Sequence, residues 1–151
     1  MPLIRAAARS WGAVGFRSPA LLHDPELLQE LDFAWDSSVP AWDPFQPMPG
    51  GCGIYQPYML NGQCVELPVT MWQDFTLFEE LQIDPMVVWA KQAELIIAAG
   101  GLINIIIHPD YLLDKLRLEK YSALLEFLTR QEDVWLTTPS ELVDWVRSME
   151  S

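Results

Sequence analysis

Apolar and polar positions alternate along this chain in short blocks that switch between strand-like and helix-like spacing. Ala13-Val14-Gly15-Phe16 reads as a short strand ending at Arg17, and Phe33-Ala34-Trp35 as a second ending at Asp36. Val65-Glu66-Leu67-Pro68-Val69 reads as a third. Leu102-Ile103-Asn104-Ile105-Ile106-Ile107 is nearly unbroken and rich in β-branched residues, the pattern of a strand buried on both faces. Val134-Trp135-Leu136-Thr137 is the last strand expected.

Helices are predicted between these runs. Asp24-Pro25 opens one that continues through Leu31, with a capping carboxylate, proline at the first position and Glu26 near the positive end. Asp84-Pro85 opens a longer helix in which Met86, Trp89, Ala90, Ala93, Ile96 and Ile97 recur at helical spacing until Gly100-Gly101. A third carries Leu118, Tyr121, Leu124, Leu125 and Leu128 on one face. Thr138-Pro139-Ser140-Glu141 is a capping box opening the terminal helix. Val39 to Cys52 is rich in Pro, Gly and Trp and reads as a long loop. Asn61-Gly62 predicts a tight hairpin turn.

This order implies a parallel α/β layer or part of a barrel. Arg17, Asp36, Thr70 and His108 then fall at carboxyl strand ends, on one expected rim. His108 is placed there either to do chemistry or to cap the strand end against nearby backbone.

With 151 residues, half of them apolar, the chain has the length of one domain and the material for a core. Charge changes the picture more. The net charge is −12, and residues 18 to 90 hold eleven carboxylates without one Lys or Arg. A phosphate backbone would be repelled, which argues against nucleic acid as a partner. No apolar run is long enough to span a bilayer. The start has arginines and no acids, as in a transit peptide or the beginning of a helix, but no apolar core suited to secretion; this leaves the compartment unknown, with the cytoplasm favoured. Cys52 and Cys64 lie at unequal distances from the Asn61-Gly62 turn and are not expected to face each other.

Gly15-Phe16-Arg17-Ser18-Pro19 matches an Arg-x-Pro motif. Asp36-Ser37-Ser38, Leu67-Pro68-x-Thr70 with Trp72 and Asp74, and Ile107-His108-Pro109-Asp110 follow it in order. This ordered set resembles the polysaccharide deacetylase (NodB-homology) family, from Gly15 to about Ser148. The resemblance implies a deformed (β/α) barrel and a divalent metal, usually zinc, that polarises the carbonyl of an acetylated carbohydrate or small amide. It makes His108 the acid on the leaving group, with Ile107 helping to line the acetyl-methyl pocket. Arg17 matches the residue that holds the catalytic carboxylate. Trp72 and Asp74 match the motif that orients the histidine, and Asp36 falls among the substrate-binding positions.

The sixteen residues before Arg17 contain no Asp, Glu or His, and the whole chain has two histidines. The family's paired aspartates and its two histidines one helical turn apart therefore have no counterpart. A three-ligand zinc site cannot be built in the family's manner, so no metal is expected for this chain alone. The expectation is the carboxyl-terminal half of such a barrel over residues 15–148, with residues 1–14 the remnant of a preceding helix or strand. Half a barrel exposes strand edges and invites self-association. A non-catalytic sugar-binding or structural module on the same scaffold is the alternative. Trp42, Tyr55, Tyr58 and Trp72 could stack on sugars or anchor loops. A different hydrolase using His108 with Asp110 or Asp74 lacks any Gly-x-Ser-x-Gly companion.

Overall fold

The computed structural model describes residues 2–30, 32–60 and 62–149. The fold is mixed α/β, and the chain divides into two units. One comprises residues 1–68 and 137–151; the other comprises residues 69–136.

The first unit holds a four-stranded sheet of very short strands: β1 (Gly15–Phe16), β2 (Trp35–Asp36), β3 (Tyr58–Met59) and β4 (Val65–Glu66). Their order is β1-β2-β4-β3. β1, β2 and β4 run parallel, with Trp35 opposite Val65 and Asp36 opposite Glu66. β3 is antiparallel to β4, so the expected hairpin forms, closed by the Leu60 N–H on the Cys64 carbonyl at 2.8 Å. Gly62 takes the left-handed φ of 76° in that turn, while Asn61 lies outside the described residues. Cys52 and Cys64 are both free thiols.

Around the sheet lie α1 (Pro2–Trp11), α2 (Pro25–Gln29) and α5 (Pro139–Met149). Asp24 caps α2 by accepting from the N–H groups of Glu26 and Leu27. At α5 the capping box closes both ways: Glu141 Oε2 accepts from Thr138 N–H at 2.9 Å, and Thr138 Oγ1 accepts from Glu141 N–H at 3.3 Å. Phe16 and Phe33 stack at 5.5 Å beside buried Leu28, with Ala8 of α1 against them. Gly15 has no room for a side chain, since a Cβ there would meet the Trp35 ring at 2.0 Å.

The second unit contains α3 (Pro85–Ala98) and α4 (Lys115–Thr129), capped by Asp84 and Asp114. One wide π-turn at Thr76–Glu80 precedes α3, with Leu81 N–H reaching back five residues to the Thr76 carbonyl. Trp89, Ala93 and Ile96 are buried on α3 and Leu124 on α4, as their spacing predicts. The Trp89 indole N–H donates to the Trp72 carbonyl at 2.9 Å, and Phe78 meets its ring edge-on.

Two expected strands do not form. Leu102 to Ile107 is half-buried and belongs to no sheet, rather than being a strand covered on both faces. The reason lies in its bonding. The Asn104 carbonyl accepts from both Thr70 N–H and Met71 N–H, while Asn104 N–H donates to the Thr70 hydroxyl at 2.9 Å. A side chain replaces a carbonyl and one acceptor serves two donors, so the even ladder of a parallel pair is interrupted. Thr70 therefore sits at no strand end; its hydroxyl donates to the Leu102 carbonyl at 2.7 Å. Val134 to Thr137 is likewise irregular, and Trp135 and Leu136 are exposed. Apolar runs state a wish for burial but not a pairing partner.

Candidate active site

Unit two positions a histidine on a buried carboxylate. Asp74 follows the irregular segment that carries Thr70 and Trp72, just before the π-turn, and its side chain is fully buried. Its Oδ2 accepts from the His108 main-chain N–H at 2.6 Å, and its Oδ1 lies 2.6 Å from His108 Nδ1. Phe75 N–H donates to Oδ1 as well. One carboxylate thus grips His108 by both backbone and ring. An ionised Asp74 requires a proton on Nδ1, which leaves Nε2 as the second ring nitrogen, on a side chain 44% exposed. Short N–H···O contacts to a carboxylate are the strong kind, and they fix the ring orientation.

Pro109–Leu113 forms a 3₁₀ turn directly after the histidine. It brings Tyr111 edge-on to the imidazole at 5.4 Å, and Tyr111 N–H donates to the His108 carbonyl. Arg117 stands over the Phe78 ring at 4.7 Å and pairs with Glu79 at 2.7 Å, closing the aromatic side of the segment. Ile107 is half-buried beside His108. Trp72 N–H bonds Gln92 Oε1. His108, Asp74, Ile107 and Trp72 therefore lie in one unit, and Asp74 touches His108 directly. Asp110 is exposed on the turn.

Arg17 and Asp36 lie in the sheet unit. The Arg17 guanidinium forks onto Ser37, with Nε on its carbonyl at 2.9 Å and Nη2 on its hydroxyl at 2.6 Å. Burial lowers the Arg17 pKa, while the nearby Asp36 and Glu66 carboxyls oppose that shift. Asp36 accepts from Ser38 N–H at 3.0 Å and from the Ser38 hydroxyl at 2.9 Å, and is itself buried. The Ser38 hydroxyl also accepts from Ser18 N–H, so the turns after β1 and β2 are laced together. Glu66 belongs to this cluster and was not singled out from the sequence. The available signal was one carboxylate inside the apolar run Val65 to Val69.

His23, also in the sheet unit, bonds the Leu21 carbonyl through Nδ1 and lines a cavity of about 280 Å³ with Phe16, Leu27 and Met48. Among the described residues, no three His, Cys, Asp or Glu side chains converge as a metal would require. No described helix is long and apolar enough to cross a membrane. No protein-family model, curated protein or solved structure matches the chain.

Proposed function

We propose that this chain takes part in the hydrolysis of acetyl groups on a carbohydrate or small amide, with His108 acting on the leaving group. The observation that carries the reading is the double grip of Asp74 on His108, which aims Nε2 away from the carboxylate. A histidine of fixed tautomer with one ring nitrogen free is the ordinary form of a general acid or base. Water attacking the acyl carbon gives a proton to His108 Nε2 and its oxygen to the nascent acetate. As the acyl C–N or C–O bond breaks, the ring passes that proton to the departing amine or alcohol, and Nε2 is free again.

The same reading takes the parallel β1–β2–β4 pairing and the alternating helices as the carboxyl-terminal half of a deformed (β/α) barrel of the polysaccharide deacetylase type. It assigns no carboxylate base and no metal to this chain. A test should therefore need neither. An aryl ester with a more basic leaving group, such as phenyl acetate, meets that condition, because its phenolate departs more readily when Nε2 delivers a proton to it. The chain should outpace an equal concentration of free imidazole, and His108→Ala should abolish the excess. A rate no higher than imidazole's, or one indifferent to His108→Ala, sinks the proposal.

The fork of Arg17 onto Ser37 favours a second reading, a non-catalytic sugar-binding or structural module, since the guanidinium is engaged by its own scaffold. That reading expects no His108-dependent hydrolysis, yet amide signals that shift when acetylated oligosaccharide is added.

A further inference from the structure

Asp36 and Glu66 face each other across the parallel β2–β4 pair, and both are buried, at 2% and 0% exposure. Glu66 Oε1 accepts from Val39 N–H at 3.0 Å, but Oε2 has no donor within reach. Two ionised carboxylates side by side in a site closed to water repel each other, and an unsatisfied charged oxygen there is costly. Both difficulties vanish if one carboxyl keeps its proton and donates it to the other. We propose that Asp36 and Glu66 form a carboxyl–carboxylate pair sharing one proton, a proton-binding site that makes the stability of the sheet unit fall as pH rises through neutrality.

The electrostatics agree with this geometry. Burial, then the Asp36 carboxyl, pushes Glu66 up to about 9. The titratable groups around the pair lie after β1, on β3, in the loops beside β4 and on α5, whose Arg147 donates to the carbonyls of Ala34 and Gln63 next to β2 and β4. Arg17 after β1 stays cationic and limits the repulsion. Tyr58 is opposite Glu66 on β3, and burial raises its phenol well beyond its ordinary value. Burial likewise pushes the Cys64 thiol up to about 12 and raises that of Cys52. None of these moves into the range between acid and pH 9.

The sign follows from proton counting. The unfolded chain releases the Glu66 proton near pH 4 to 5, while the folded unit keeps it to about pH 9. Between those values the folded state binds one more proton, so stability drops as pH rises. Above about 9 both states are ionised and this contribution levels off.

Urea unfolding from pH 5 to 9 on the whole chain tests this, comparing wild type with Glu66→Gln. A glutamine imitates the protonated acid, donating to Asp36 while its oxygen accepts from Val39 N–H. Relative to the variant, the wild-type folding constant should fall about tenfold per pH unit. Infrared spectra of the wild type at neutral pH should also show a buried protonated-carboxyl band that is missing in the variant. Parallel stability profiles with no such band overturn the proposal. So does a missing band with stability that rises with added sodium or calcium, since a cation would then occupy the proton's place. Should Glu66→Gln not fold, carbon NMR of the wild-type carboxyls decides: a Glu66 carboxyl ionised at pH 7 refutes the pair.

Discussion

Asp36 in the sheet unit and Asp74 in the other are both buried and both accept from a main-chain N–H and a side chain, yet the two do opposite things. Asp36 takes both donors from Ser38, two residues away, and stands opposite a second buried carboxyl. Asp74 takes both from His108, whose ring is 44% exposed. The first closes a polar knot inside the sheet unit. The second carries the influence of a buried charge out to solvent through a titratable ring. A buried carboxylate alone does not mark a reactive centre; the exposure of its donor does.

The largest expected effect is on the closed knot. Asp36→Ala leaves the Ser38 N–H, its hydroxyl and Glu66 without their partner, and should destabilise the protein by roughly 3 kcal/mol, read as a drop in urea midpoint. If Asp36→Ala unfolds at the wild-type midpoint, the knot holds nothing. Next, His108→Ala should lower ester hydrolysis on the order of 100-fold while lowering the urea midpoint less than Asp36→Ala does, because buried Asp74 keeps the main-chain N–H groups of residue 108 and Phe75. Asp74→Asn sharpens the contrast further. Its amide would donate to Nδ1 and move the ring proton to Nε2, so activity should fall about tenfold or more, with the tautomer change visible in imidazole nitrogen NMR. An unchanged tautomer would show that Asp74 does not set the ring. The smallest effect belongs to Asp114→Ala, which removes the cap that accepts from Arg117 N–H. It should cost about 1 kcal/mol in thermal unfolding and leave hydrolysis alone.

Local features were the legible ones. The caps at Asp24, Asp84 and the Thr138–Glu141 box need only neighbours in sequence, and each appears where its residues stand. The buried stripe of Trp89, Ala93 and Ile96 was equally plain from its period. The run from Leu102 to Ile107 misled, because its pairing is decided by the Thr70 hydroxyl more than thirty residues away. Among the candidate residues, His108 stood out through the apolar run before it, and Asp74 through the resemblance alone. Their mutual contact is a property of the fold. Glu66 was missed because its partner Asp36 sits on another strand, and only the register brings the two opposite each other.

The sheet unit is assembled from both ends of the chain, with residues 69–136 running between its two pieces. Arg147 on α5 donates to the carbonyls of Ala34 and Gln63, joining positions more than eighty residues apart. During synthesis, β1, β2 and the hairpin leave the ribosome long before the helix that covers their carbonyls. Closing so long a loop slows folding and leaves early strands waiting with open edges. Residues 69–136 already have all their sequence in hand by then, so the order of emergence favours their maturing first.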